Sequence, residues 1–548
     1  MHCASSFCDG GSADFQAKSK KLQSDKIHAP MIQEPFFASK FARSVVLILL
    51  FTIALTIRLY DLTDLPLDFH PTRQLLSAIK ARGLYYETQP DGIPTWKLET
   101  AIRQAKLKAD VEPVVFERLV AFTYRFAGEQ VWLARIYSSL FWLIGGIFLF
   151  MLVRDLVSFE GAIFSTAYYL FFPYAIIASR SFQPDPLMVM LTLSFWWIFA
   201  RWLALTTSPL PPGEGLGVRV ALLAGLLGGL AIFVKFSAAF FVIGAALGLA
   251  LSRFTLRELL RNVQVWLMAL VGILPAAAYL VYGIFVRGDL GSQFSGRFIP
   301  ALLLSPVNYL QWMTKASLAS GGLFIMLALL SFFLVKDKRL QSFMFGLWSA
   351  YLLYALFFDY HVATHDYYHL PLIPIVAVSL GLLGEWFFAR LTESTAHRYQ
   401  RSAMYFILLF GLFSVVWNVR NQMKAVDYRP EASMWAEIGD QLADERVVAL
   451  TQDYGSRLEY WGWKTVATWP YVGDINYVDA RGGTFSFDEL FNEYSSKRDF
   501  FLVTDLDELD HQLELKERLF SSYSIVAQED GYLIFNLRDP ISAGDSGS

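Results

Sequence analysis

Cysteine is almost missing from this chain of 548 residues, which has two, Cys3 and Cys8, both in its first forty positions. A disulfide framework and a cysteine-ligated metal centre are therefore excluded. Charge is scarce as well, at 17% of residues against about 25% in a typical soluble domain. Basic excess is absent, the net charge being -3, so nucleic acid is not an expected partner. The first forty residues lack the short apolar core of a secretory signal. Residues 1–42 are therefore expected to be a disordered cytoplasmic tail, and residues 541–548 a second disordered tail.

What the chain has in quantity is apolar sequence, 55% hydrophobic and 16% aromatic. A hydrocarbon core about 30 Å thick takes roughly 20 apolar residues per helix. Candidate spans lie near Ser44–Leu59, Val131–Val153, Gly161–Ile177, Pro186–Leu205, Val220–Val234, Ser237–Leu251, Val263–Phe285, Ser320–Val335, Gln341–Phe358, Leu370–Phe388 and Ala403–Val419. The expected fold is thus mainly α, a polytopic helical membrane bundle of about 11 spans over residues 43–420. Lys and Arg in the short loops, such as Arg154, Arg219, Arg253, Lys336 and Arg390, fall on the side of the N-terminus, and cations accumulate on the cytoplasmic side. The loop 61–130 then lies outside, in the orientation of a plasma-membrane protein with a cytoplasmic N-terminus.

That outer loop holds two amphipathic helix candidates, Thr72–Tyr86 and Leu98–Ala127, suited to lying flat at the membrane surface. The segment Ser208–Arg219 is rich in Pro and Gly and reads as an unstructured linker. Beyond Trp417 the composition becomes that of a soluble domain. Strand-like RVVALT, KTVATW, FFLVTD, YSIVAQ and YLIFNLR alternate with helix-like stretches, which predicts an extracytoplasmic α/β domain over 421–540, closed by a hairpin at Glu529-Asp530-Gly531.

Side chains able to carry chemistry gather in the outer turns. LPLDFHPTRQ brings Asp68, His70 and Arg73 together just after the first span, and a carboxylate at the mouth of a cavity can act as a general base; a turn residue ahead of Pro71 is the plainer reading. The turn SRSFQPDP holds Arg180, Gln183 and Asp185, where Asp-Pro also simply starts a helix well. Lys235 stands between two apolar runs, as an interfacial anchor or as a cation for a phosphate. DYHVATHDYYH offers Asp359, His361, His365, Asp366, Tyr367, Tyr368 and His369. His361 and His365 have metal-sharing spacing, but no HExxH pattern completes them, and donors with aromatic faces suit a sugar or phosphate equally. Glu112, Glu117, Arg297 and Lys315 are further candidates.

In order and sidedness, this pattern resembles the C-type membrane glycosyltransferases (GT-C), specifically enzymes similar to the protein O-mannosyltransferases and the aminoarabinose transferase. The residues that carry the resemblance are the Asp68 loop, EPVVFERLVAFTYRFAGEQVWLARIYSSLF from Glu112, ASRSFQPDPLMV, GLLGGLAIFVK up to Lys235, and HDYYHLPLIP from His365. The family's Asp-Glu pair reads Asp68-Phe69 here, and its His-Pro-Pro reads Val111-Glu112-Pro113. The resemblance implies a polyprenyl-phosphate sugar donor, a glycan, lipid or protein acceptor at the outer face of the membrane, and inversion at the anomeric carbon. It puts the family's first-loop acid, the catalytic base, at Asp68, its second outer acid at Asp185 and its phosphate-binding lysine at Lys235; a departing lipid phosphate needs cations, for which Arg180 or Arg73 beside Lys235 are the candidates. Asp185, His70, Glu112, Gln183, His365 and Tyr368 are then substrate or metal candidates. A divalent cation, Mg²⁺ or Mn²⁺, between Asp68 and Asp185 is compatible with two carboxylates but not required.

Two other classes remain open. A transporter or lipid flippase calls for internal repeats and ionisable groups at mid-membrane, whereas no repeat is evident and the ionisable groups lie at the outer helix ends. A scaffold whose outer domain does the binding would leave Asp68 and Lys235 replaceable.

Overall fold

A computed structural model describes residues 36–541, apart from residues 38, 111, 207–214, 289, 292–296, 395–397, 485 and 530. Most of the proposed N-terminal tail, the tail 542–548 and the core of the Pro/Gly linker lie outside the described residues.

Among the described residues, eight helices are long and apolar enough to cross a membrane: Lys40–Leu59, Trp132–Leu156, Asp185–Thr206, Leu216–Val234, Val263–Arg287, Lys338–Phe357, Asp366–Thr392 and Ser402–Met423. A ninth is counted if Pro306–Ser320 and Gly322–Leu334, bent by 91°, form one span. The expected eleven are not all long helices, for local reasons. Gly161–Ile177 folds as Phe159–Phe171 and Pro173–Ala178, because Pro173 cannot donate to the preceding turn. Ala238–Leu251 is helical for only 14 residues.

Glycine sets the spacing of the bundle. A Cβ on Gly229 would sit 2.6 Å from the Gly272 Cα, and one on Gly225 2.8 Å from the Met268 carbonyl oxygen. The helices Leu216–Val234 and Val263–Val281 therefore meet backbone to backbone, as small-residue stripes permit in a membrane. Gly346 packs likewise against Gly244 and Gly248. Trp142 stacks on Tyr169 with centroids 4.4 Å apart and donates its ring N–H to the Tyr169 carbonyl.

Outside the bundle, the amphipathic stretch expected as Leu98–Ala127 is two helices, Thr95–Leu107 and Val115–Ala127, since a single helix would carry Pro113 in its interior, where the ring breaks it. Both pack on the helix Pro71–Tyr86. The C-terminal part forms a five-stranded sheet with order β2-β1-β3-β5-β4, from β1 Val447–Leu450, β2 Ala467–Thr468, β3 Phe500–Val503, β4 Tyr523–Glu529 and β5 Tyr532–Pro540. β1 runs parallel to β2 and β3, whereas β5 is antiparallel to β3 and β4. Alternate residues of β1 enter opposite cores, Val448 and Leu450 with Trp469, Val447 and Ala449 with Trp435, as the two faces of a strand dictate.

This domain rests on the loop 61–130 through buried polar ties. Arg82 donates to the carbonyls of Glu459 and Tyr460 and lies over the Tyr460 and Trp463 rings.

Candidate active site

Lys235 follows the last residue of the helix Leu216–Val234, with an extended backbone that turns the chain into the next helix. Asp185 opens the helix Asp185–Thr206. Across 50 residues of sequence, the Lys235 Nζ donates to the Asp185 Oδ1 at 2.8 Å, with the two side chains 9% and 1% exposed. The second Asp185 oxygen is buried without a hydrogen-bond partner. The ammonium also lies 5.5 and 5.4 Å from the ring centres of Tyr367 and Tyr368, a cation–π geometry. Burial penalises the Lys235 charge, but Asp185 and Glu112 outweigh it and hold its pKa above the ordinary value.

Beside this pair, Arg73 on the first turn of Pro71–Tyr86 donates to Glu112 at 2.8 Å. Burial again disfavours the ions, yet Glu112 keeps the guanidinium pKa raised, and Arg73 and Lys235 hold the Glu112 carboxyl below its usual range. Arg297 adds a further positive charge near Glu112 and Tyr368. A small cavity of about 20 Å³ is lined by Arg73, Ser77, Lys80, Glu112, Glu117 and Pro184.

The segment 359–369 closes this group from another side. His70 Nε2 bonds the Asp366 carboxylate, and the His70 ring meets Tyr367 edge-on at 4.7 Å. Burial, then the charge of Arg297, pulls His361 down to about 3; burial, then His70, pulls His365 down to about 4. Both imidazoles are neutral at pH 7, able to give and accept hydrogen bonds. The C-terminal domain reaches this segment, Tyr360 packing on Tyr477 at 4.6 Å. It also touches the neighbourhood of His70, where Thr72 donates to Asp453 at 3.0 Å.

Asp68 belongs to a different group. Its Oδ1 accepts from Arg135 at 2.8 Å, and its Oδ2 lies 4.0 Å from Arg180. Arg135 also donates to the carbonyls of Asp61 and Leu65, and Arg180 to those of Tyr60 and Asp61. The two guanidiniums thereby fasten the chain that leaves the first span. Burial and then Arg135 pull Arg180 down to about 10, against the acids Asp68, Asp61 and Asp64.

Of the residues singled out in the sequence, Asp185, Lys235, Arg73, Glu112 and Tyr368 come together, with His70 and His365 at their border. Asp68 and Arg180 pair with each other. Among the described residues, Asp68 makes no hydrogen bond or ion pair with Asp185, Lys235 or Arg73. Gln183 is fully buried, with neither side-chain amide atom bonded among the described residues. As for a divalent ion, Asp68 faces guanidiniums and Asp185 an ammonium, and among the described residues no group of three or more His, Cys, Asp or Glu side chains gathers to hold a metal. The donor set does not fit one.

Two partners carry weaker signals in the sequence. Arg135 lies inside an apolar run, and an ionisable residue there is itself a signal. Asp366 was visible only as one acid in a cluster, because its partner is 296 residues away.

The comparisons agree with this architecture. The family model of dolichyl-phosphate-mannose-protein mannosyltransferase matches residues 111–282. No curated protein matches the sequence. Among solved structures, ArnT from Cupriavidus metallidurans bound to undecaprenyl phosphate aligns with a TM-score of 0.52 at 13% identity, covering 92% of this chain and 99% of that one. Its apo state gives 0.53 at 15% identity, covering 90% and 98%. The archaeal oligosaccharyltransferase AglB from Archaeoglobus fulgidus, in complex with an inhibitory peptide and a dolichol-phosphate, gives 0.51 at 12% identity, covering 93% and 75%. These likenesses show a shared fold, the polytopic helical membrane architecture of ArnT and AglB.

Proposed function

We propose that this chain is an integral membrane glycosyltransferase that moves a sugar, with inversion, from a polyprenyl-phosphate donor to an acceptor hydroxyl on the extracytoplasmic face. The observation that carries the reading is the buried Lys235–Asp185 pair beside Arg73–Glu112. A lipid phosphate leaves with its negative charge growing, so its departure needs preorganised cations more than a proton donor. Lys235 and Arg73 supply them, already oriented by the acids Asp185 and Glu112. Lysine serves as a point charge for phosphate, arginine as a fork.

The donor's tail has a place as well. A cavity of about 350 Å³, lined by Phe195, Phe199, Gly228, Gly229, Ile232 and other apolar residues, runs along the helix that Lys235 ends. Ile232 is one helical turn before the ammonium. The lipid phosphates bound to ArnT and AglB support the same donor class. The acceptor side requires a proton acceptor. The resemblance offers Asp68, whose oxygens face Arg135 and Arg180.

The test uses the purified full chain in detergent. Undecaprenyl phosphate is expected to raise the melting temperature of the wild type but not of Lys235→Ala. With membrane lipid extract as acceptor, one member of a panel of undecaprenyl-phosphate sugars is expected to release undecaprenyl phosphate. Neither stabilisation nor release with any donor would end the reading; movement of the lipid across proteoliposomes would put a flippase in its place.

A further inference from the structure

We infer that the proton acceptor for the incoming hydroxyl is His70, held by Asp366, rather than a carboxylate; the inference rests on the glycosyltransferase reading. A base needs an unoccupied lone pair at the site and a neighbour that stabilises the charge it acquires. His70 has both. Its Nε2 is engaged by Asp366, and a carboxylate accepts only, so in the neutral imidazole the proton sits on Nε2 and the lone pair on Nδ1. Among the described residues Nδ1 bonds nothing, and the side chain is 29% exposed. The same logic orients imidazoles in other base–carboxylate pairs.

Local structure supports a role beyond a tie between loops. His70 is the residue before the helix Pro71–Tyr86, where a side chain ordinarily caps, yet it makes no capping bond. Its backbone is left-handed, φ 43°, a conformation that costs energy outside glycine and concentrates at functional sites. Gln74 braces this turn, donating to the Phe69 carbonyl at 2.6 Å and accepting from the Phe182 N–H at 2.9 Å.

His70 also lies near the phosphate cations. Tyr367 touches both, its ring 4.7 Å from that of His70 and 5.5 Å from Lys235 Nζ. These two legs keep the His70 ring within about 10 Å of the Lys235 ammonium, a span that one sugar and its phosphate can bridge. Asp68 lacks this freedom, since one oxygen accepts from Arg135 at 2.8 Å and the other faces Arg180.

The step balances as follows. His70 Nδ1 takes the proton of the acceptor hydroxyl while that oxygen bonds the anomeric carbon. The bond from that carbon to the phosphate oxygen breaks, its electron pair leaving on the lipid phosphate beside Lys235 and Arg73. The imidazolium, paired with the Asp366 carboxylate, then returns its proton to water. His70 is the catalytic residue and Asp366 a positioning residue.

The experiment measures release of undecaprenyl phosphate from the donor that the wild type uses, together with thermal stabilisation by undecaprenyl phosphate alone. His70→Gln keeps a donor toward Asp366 but loses the proton acceptor. Its kcat is expected to fall by about 100-fold or more, with KM for donor and the thermal shift unchanged. His70→Ala is expected to regain at least about tenfold with added imidazole, a rescue that a structural role does not give. Asp366→Asn lowers kcat without altering lipid-phosphate stabilisation, and Asp68→Asn keeps more than about one-tenth of turnover. His70→Gln within threefold of wild type, or a His70→Ala loss that imidazole does not relieve, overturns the inference while leaving the transferase reading intact. A wild type that neither binds undecaprenyl phosphate nor consumes any donor overturns both.

Discussion

Lys235 and Asp185 sit at the ends of two neighbouring helices, one finishing and one starting, and their side chains meet at 2.8 Å with almost no exposure. Breaking such a pair from one side strands an ion where water cannot reach it. Lys235→Met is expected to cost about 3–5 kcal/mol in thermal unfolding, and to abolish donor release. In Lys235→Met/Asp185→Leu the stranded charge is gone, so most stability returns while release stays absent. A double variant that regains turnover would show the pair to be structural.

Asp68 is expected to matter more for folding than for turnover. Asp68→Asn loses a charge-assisted bond to Arg135 and should cost about 1.5–3 kcal/mol, read as a lower melting temperature. Arg135→Met should produce a comparable drop by releasing the carbonyls of Asp61 and Leu65 as well.

Gly229 governs the position of the Lys235 end of its helix. Gly229→Val places side-chain atoms against Gly272, whose Cα is already 2.6 Å from an added Cβ, and overpacking of this kind costs about 1–3 kcal/mol. The expected result is a lower melting temperature, with donor release falling further than in a Gly411→Val control, where nothing lies within 4 Å.

Glu117 gives a pH dependence. Burial raises its pKa in the folded protein, against the bond it accepts from Ser77 at 2.7 Å. The unfolded chain therefore ionises first, and stability falls as pH rises from the unfolded value of 4.5 to the higher folded one. Glu117→Gln removes that loss and should melt higher than wild type at pH 7, with the difference vanishing near pH 4. An equal melting temperature at pH 7 would sink the assignment.

Tyr360 and Tyr477 join the C-terminal domain to the histidine-bearing segment. If that domain helps present the acceptor, Tyr477→Ala should raise KM for acceptor and leave undecaprenyl phosphate binding as it was. A stability cycle of Tyr360→Ala with Tyr477→Ala should show coupling of about 0.5–1.5 kcal/mol.

Hydrophobic runs, loop composition and period-two strands sufficed to announce a helical membrane bundle followed by an α/β domain, because burial in lipid and in a sheet each imposes its own local pattern. The number of long spans was not legible in the same way. The break at Pro173 turns one 17-residue run into two helices, and hydropathy averaged over a window does not register where a helix stops.

The sequence by itself determined which chemical groups are present and that Asp68, His70, Arg73, Asp185 and Lys235 occupy turns at helix ends. Only the tertiary structure decided their partners: Asp68 with Arg135, His70 with Asp366, Arg73 with Glu112, Asp185 with Lys235. Ion pairs over 39 to 296 residues are set by how helices pack and where each ends. Neighbouring residues in one short loop, Asp68 and His70, consequently face different surroundings, one between two guanidiniums and the other beside a carboxylate.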